Sequence, residues 1–343
     1  MKISVISTNE LEPALLASWG RIRNARPDLA SPYYTPEFAL VVGAVRDDFY
    51  IAVIEVDQNI VGFFPFHKLS FGRGRPAGHT LSDYQGIILE PGIDLRLVEL
   101  MKVCGLYFFP FDHMPNSQVA FAPYAKGMGR SPRMDIRGGI EAYHNRLAQQ
   151  QGVGTPGVVR AVGYALRRME RELGPIRFEP NSRDHAVFER LFRWKSTQCL
   201  SKWGARHDPF TTGWVWNCLE RIFASQEEEF SGVLSALYAG DSLIAAHFSI
   251  KSASVCHYWF TSYDPAFAIY SPGLVLLHSF ARDGTTLGID FIDLGRGEHD
   301  YKLRFMTGSV PLMEGFVCRP AGLQHLVIPT RNLRRWMRGC VRS

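Results

Sequence analysis

The chain is poor in cysteine for its 343 residues, and its six thiols (Cys104, Cys199, Cys218, Cys256, Cys318 and Cys340) include no C-x-x-C pair. That spacing excludes a zinc site built on such pairs, and six thiols in so long a chain do not form a disulfide scaffold. Buried free thiols in a reducing cytoplasm are expected. Long apolar runs are also missing. GLYFFPF (105–111) is too short to cross a bilayer and contains Pro110. The N-terminal MKISVISTNELEPALLASWG is interrupted by Glu10 and Glu12, so it does not read as a signal peptide. Acid is absent from residues 331–343, which hold Arg331, Arg334, Arg335, Arg338 and Arg342. The net charge is +5, and setting those five arginines aside leaves zero. A neutral body gives no basic face for nucleic acid. The tail is expected either to touch anionic lipid near a membrane-bound synthase or to be solvated without a role.

What is present is a pattern that occurs twice. Residues 50–69 (YIAVIEVDQNIVGFFPFHKL) read as two strands around the turn Asp57-Gln58-Asn59. Residues 233–251 (VLSALYAGDSLIAAHFSIK) repeat it around Gly240-Asp241-Ser242, with 54–61 lying over 237–244. The second hairpin leads into SVCHYWFTSYDP (254–265), rich in strand formers. Ser271 and Pro272 then predict a helix start, with Ser271 as N-cap and Pro272 at the first helical position. Leu274, Leu277, His278 and Ala281 follow at helical spacing, Gly284 is the expected stop, and GIDFIDL is a short buried strand. The first half follows the same β-β-β-α-β order more loosely, through strand GIIL, a helix over 94–104 and strand LYFFPF. Between the halves, 139–226 reads as mostly helical.

Several motifs have a plain reading beside a functional one. GVGTPG (152–157) matches G-x-G-x-x-G but follows a helical stretch where the dinucleotide fingerprint needs a strand, so it reads as an interhelical loop. FGRGRPAG (71–78) reads as a loop after a hairpin, with phosphate contact as the alternative. The turn Ser271-Pro272-Gly273 is an ordinary capped helix start or, with its exposed N–H groups and dipole, an anion site. His247 is a satisfied core histidine or a substrate contact. Lys195 is a solvated helix residue or a substrate contact, and Asp83-Tyr84 a capped turn or a substrate contact. Trp194, Trp203, Trp214 and Trp216 are core, or a platform for a glycan. In DFIDLGRGEHDYKLRF (290–305), a buried strand runs into Arg296, Glu298, His299, Asp300, Tyr301, Lys302 and Arg304. A solvated turn is the plain account. The alternative is a site with a base, a proton donor and charge neutralisation, the needs of a group transfer.

Taken in order, SPYYTPEF (31–38), LSDYQG (81–86), LFRWKSTQ (191–198), YSPGLVLLHSF (270–280) and DLGRGEHDYKLRF (293–305) resemble the CelD-type acetyltransferases of the GNAT superfamily. That family is associated with bacterial cellulose and exopolysaccharide biosynthesis and is related to the Fem-type aminoacyl transferases. The resemblance spans about residues 31–318. It implies an α/β chain of two tandem GNAT-like domains, each a mixed twisted sheet flanked by helices, expected at 1–150 and 151–320 with a basic tail at 321–343. It implies acetyl-CoA as co-substrate, no metal, and a sugar or cell-envelope precursor accepting an acyl group on an amine or hydroxyl. The superfamily's Q/R-x-x-G-x-G/A signature is matched in 268–273 only by Gly273. Under this reading Tyr258, Phe260, Ser271, Pro272, Gly273 and Leu274 hold the donor, and Glu298, Asp300 and Tyr301 are catalytic. Asp83, Tyr84, Lys195, His247, Arg296 and Lys302 meet the acceptor. The alternatives are a Fem-type aminoacyl-tRNA-dependent transferase and a non-catalytic accessory protein of a polysaccharide synthase.

Overall fold

A computed structural model of the chain describes residues 1–203 and 208–319. The first elements in chain order are β1 (Lys2–Ile6), α1 (Pro13–Asn24), α2 (Pro36–Gly43), β2 (Phe49–Val56), β3 (Asn59–Leu69), β4 (Arg73–Pro76), β5 (Ile88–Leu89), α3 (Leu97–Val103), β6 (Phe108–Pro115) and β7 (Ala125–Asp135). Next come α4 (Gly139–Gln151), α5 (Gly157–Leu173), β8 (Ile176–Glu179), α6 (His185–Trp203), α7 (Gly213–Ala224), β9 (Gln226–Glu227), β10 (Phe230–Ala239) and β11 (Ser242–Ser252). The last are β12 (Val255–Tyr263), α8 (Pro272–Asp283), β13 (Phe291–Asp293), α9 (Asp300–Phe305) and β14 (Gly308–Cys318). They form two compact units: Met1–Arg130 with the chain from Val310 onward, and Ser131–Ser309. The division falls at Arg130, earlier than the expected 150/151, and the chain from Val310 counts with the first unit rather than the second. An apolar strand completes a sheet wherever an edge is open, and chain order alone does not reveal which edge. The basic tail at 321–343 lies outside the described residues.

In the first unit the strands lie in the order β1-β2-β3-β4-β6-β14. β4 and β6 are parallel and pair only at Arg73 and Phe108. Trp19 of α1 stacks on Phe63 at 4.6 Å and donates its indole N–H to the Tyr34 carbonyl at 2.8 Å. The expected loop FGRGRPAG contains β4, which pairs with β3 from Arg73 to Pro76. Gly74 permits this, since a Cβ there would lie 2.7 Å from the Phe109 ring. GIIL forms only β5, a two-residue strand that folds back on β3.

In the second unit the order is β7-β13-β12-β11-β10-β8, antiparallel except for β12 with β13. Neighbouring residues on β11 point to opposite faces. His247 meets Phe280 of α8, while Phe248 meets Phe188 of α6. Helices therefore cover both faces. The mostly helical stretch 139–226 also contains β8, whose backbone pairs with β10 from Ile176 to Glu179. GVGTPG lies between α4 and α5, as its helical flank predicts, with Gly152 left-handed at the C-cap of α4. Trp216 is half-buried, packed on Phe188 and Phe192.

The hairpin repeat holds in detail. Both turns are two residues, Asp57-Gln58 and Gly240-Asp241. Both ladders shift register at the same place, after Ile54 and after Leu237, which the sequence overlay puts on each other. The five cysteines among the described residues are buried and free. No helix among the described residues is long and apolar enough to cross a membrane.

Candidate active site

The site of interest in the second unit begins where a ladder stops. β12 continues to Tyr263, but its parallel pairing with β13 ends at His257 and Asp293. From Tyr258 onward that edge of β12 has no strand partner among the described residues. The Lys195 ammonium donates to the Thr261 carbonyl at 3.2 Å, so this lysine is buried at the strand end and not solvated.

The chain leaves β12 through a short 3-10 turn capped by Asp264, whose carboxylate accepts the Ala266 N–H at 3.0 Å. It then enters α8. Pro272 stands at the first helical position as expected. Ser271 is the N-cap by position but is left-handed (φ 54°) and makes no side-chain cap. Pro272 has no N–H, there is no capping hydroxyl, and the Leu274 N–H is held by the Ser271 carbonyl at 3.0 Å, so the Gly273 N–H is the first-turn donor left to solvent or a ligand. A Cβ on Gly273 would meet only the Tyr263 ring at 3.9 Å, so the ground above it is open. α8 stops where expected, at Asp283 with Gly284 as C-cap, but not through a left-handed glycine. The Gly284 backbone is right-handed helical, and its smallness serves packing, because a Cβ would lie 2.6 Å from Ile136 Cδ1.

Beneath this strand end lies a polar cluster in apolar surroundings. The His247 ring stacks on Tyr258 at 3.7 Å. His247 is fully buried, and neither ring nitrogen has a hydrogen-bond partner among the described residues, so it is not the satisfied core histidine of the plain reading. Burial drives its pKa well below the ordinary value and keeps it neutral. The buried Ser262 hydroxyl also lacks a partner. Burial raises the Tyr258 phenol far above its usual range, with Thr261 opposing and Tyr301 adding a small increment. Phe260 faces the other way, against Phe192.

The strand end itself is held by Asp293. This fully buried carboxylate accepts the Ser131 hydroxyl at 2.5 Å and the Gly295 N–H at 2.9 Å. His257 Nδ1 lies 3.8 Å away and Arg133 Nε 4.0 Å. Gly295 (φ 74°) and Gly297 (φ 123°) make the tight turn that their sequence predicts. Lys302 is buried, with its ammonium on the carbonyls of Gly295 (3.0 Å) and Arg296 (3.2 Å). Part of the charge after Leu294 thus fastens the turn. Arg296 and Tyr301 are half-buried, and Glu298 is exposed. Asp300 is 87% exposed and pairs with Arg304 at 3.7 Å.

Asp83 and Tyr84 belong to the first unit, where both are buried. His113 Nε2 stands 3.9 Å from the Asp83 carboxylate, and its Nδ1 lies 2.8 Å from Asp112. Gln85 accepts the N–H groups of Asp112 and His113 at 3.0 and 3.2 Å. The structure therefore groups Lys195, His247, Tyr258 and Tyr301 around one strand end, and Arg296 with Lys302 on the adjoining turn. Sequence reasoning missed Asp293, His257, Thr261 and His113. An acid inside the apolar run FIDL was the visible signal for Asp293. No cluster of three or more metal-ligating side chains occurs among the described residues.

Residues 158–303 match the acetyltransferase (GNAT) domain family. This span runs from α5 into α9 and contains the strand end just described. No curated protein matches the chain. Among solved structures, FemX is similar with 11% identity and a TM-score of 0.57, over 95% of this chain and 100% of that one. The C-terminal domain of an Agrobacterium fabrum protein assigned as a lysylphosphatidylglycerol synthetase has 10% identity and a TM-score of 0.55, covering 91% and 93%. A tandem GNAT protein from the clavulanic acid biosynthesis pathway has 9% identity and a TM-score of 0.50, covering 92% and 97%. At such identities the likeness is one of fold. The fold is α/β, two GNAT-like units in tandem.

Proposed function

We propose that the chain is an acyltransferase that moves an acyl group, acetyl in the simplest case, from acyl-CoA to an amine or hydroxyl of a sugar or cell-envelope precursor. The observation that carries this reading is the parting of β12 from β13 beside the uncapped start of α8. A free strand edge offers backbone N–H groups to a thioester oxygen as it gains charge, and the helix start offers the Gly273 N–H and a dipole to a pyrophosphate. The acceptor nucleophile attacks the thioester carbon, the C–S bond breaks, and two protons have to move. Glu298 takes the acceptor's proton. Tyr301 gives the phenol proton to the leaving thiolate, with Tyr258 and His247 forming a dry, neutral floor. Arg296 supplies positive charge for an anionic acceptor. Lys302 acts through the turn it holds, and Asp300 serves the helix start of α9 more than the chemistry. Asp83 and Tyr84 are proposed acceptor contacts in the first unit. Isothermal titration of the protein with acetyl-CoA tests the donor directly, and saturable binding is expected. No binding of acetyl-CoA or longer acyl-CoA would favour an aminoacyl-tRNA donor or a non-catalytic role. Mass spectrometry with labelled acetyl-CoA and a panel of amino and hydroxyl sugars then identifies the acceptor.

A further inference from the structure

We infer that one end of the first unit's sheet is a docking surface for an anionic lipid bilayer. Strand register brings the pieces together. Leu69 pairs with Arg73, Arg73 with Phe108, and Phe108 with Cys318, so the ends of β3, β4, β6 and β14 lie side by side. The turn between β3 and β4 projects Phe71, which is 93% exposed. Its backbone is left-handed (φ 59°), a conformation a bulky aromatic side chain rarely adopts. The following Gly72 is left-handed too, and a Cβ on it would lie 2.4 Å from the Tyr107 ring and 2.9 Å from the Gly105 carbonyl. The turn is therefore packed in place, and it presents an apolar side chain to water. Tyr107, 59% exposed, stands beside it, with the Arg319 guanidinium 5.7 Å from its ring.

Lys68, Arg73 and Lys102 are exposed around these rings; the exposed acid closest in sequence to Lys68 and Arg73 is Asp57, and the one closest to Lys102 is Glu99. The described chain ends at this edge, at Arg319, and the sequence that follows adds five arginines and no acid. An exposed aromatic within a cationic rim matches the apolar boundary and negative potential of an anionic bilayer. Each basic group near such a surface adds to the attraction, and salt screens it.

The test is co-sedimentation of the full chain with phosphatidylcholine vesicles, with and without phosphatidylglycerol, at low and high salt. Salt-sensitive binding to the anionic vesicles alone is expected. Phe71→Ser should weaken it about tenfold, from the lost burial of one aromatic side chain. Lys68→Glu with Arg73→Glu should abolish it. Thermal melts by circular dichroism should show both variants folded as the parent is. If the parent ignores anionic vesicles, or if both variants sediment as the parent does, the surface is not a membrane dock. Self-association of the parent that Phe71→Ser removes, without lipid binding, would assign the patch to a second copy of the chain and overturn the proposal.

Discussion

Tyr301 and Asp300 are neighbours in sequence, yet their environments separate them. Tyr301 is half-buried, close enough to Tyr258 to influence its titration, whereas the Asp300 side chain is 87% exposed and engaged only with Arg304 among its ion pairs. A proton donor works best where water is partly excluded, and the Asp300 carboxylate is already engaged in a surface ion pair with Arg304. Tyr301→Phe should therefore lower turnover about 10²-fold with the true acceptor. Asp300→Asn should leave turnover within about twofold, the effect of a surface ion pair. Initial rates at saturating acceptor, with acetyl-CoA affinity measured in parallel, decide it. Equal losses in the two variants would return Asp300 to the chemistry. The sequence makes both residues visible as chemical types beside a strand end. It cannot assign depth, because burial is decided by which turn of a six-residue helix faces the core. Lys302 shows the same limit: its ammonium is held by carbonyls of Gly295 and Arg296, partners that pattern reading does not supply.

The start of α8 was legible because helix starts are local. Pro272 and the spacing of Leu274, Leu277 and Ala281 predict it from adjacent residues alone. The left-handed Ser271 was not, since it depends on how the preceding 3-10 turn delivers the chain. Gly273 has an ordinary backbone conformation and open space above it, so Gly273→Leu should fold normally. It should nevertheless weaken CoA binding tenfold or more, by keeping phosphates from the helix start. Titration calorimetry on the folded variant reads this, and unchanged affinity would remove the donor from α8. The same helix carries a pH-sensitive contact with α4: His278 Nε2 and His144 Nε2 lie 3.1 Å apart. Burial, His144 and Arg282 lower the His278 pKa to about 4. Burial also lowers His144, with Glu141 opposing. A folded pKa below the unfolded one means that the unfolded chain binds the extra proton first. Stability is then full above the ordinary histidine range and falls as pH drops from about 6.5 toward about 4. The loss should be on the order of 2–3 kcal/mol. His278→Gln should flatten this slope in urea unfolding measured across that window, and an unchanged slope would assign it to other groups.

At the scale of the molecule, the tandem arrangement was readable because each unit repeats a hairpin whose turn and bulge are written in contiguous residues. The completion of the first sheet was not. β14 comes from the far end of the chain and pairs with β6, from Leu312 with Pro115 to Cys318 with Phe108. Nothing local distinguishes VPLMEGFVC as a strand for the earlier unit from one for its own. The pairing is non-local, and its burial is substantial: Leu312, Met313, Phe316, Val317 and Cys318 are all buried. Gly315 marks the closest approach, since a Cβ there would lie 2.2 Å from the Tyr124 carbonyl. Removing this strand would strip one side of β6 and open the core around Phe109, Phe111 and Phe121, part of the same cluster as Met313 and Val317. A chain ending at Thr307 should therefore lose cooperative unfolding of the first unit or aggregate through the bared edge. A chain ending at Arg319 should unfold as the full chain does. Leu312→Ala is the milder form of the same test and should cost about 2–4 kcal/mol, the range for truncating a fully buried leucine. Urea unfolding followed by far-UV circular dichroism compares the three. If the chain ending at Thr307 keeps the full transition and midpoint, β14 is an accessory strand, and the first unit is complete within residues 1–130.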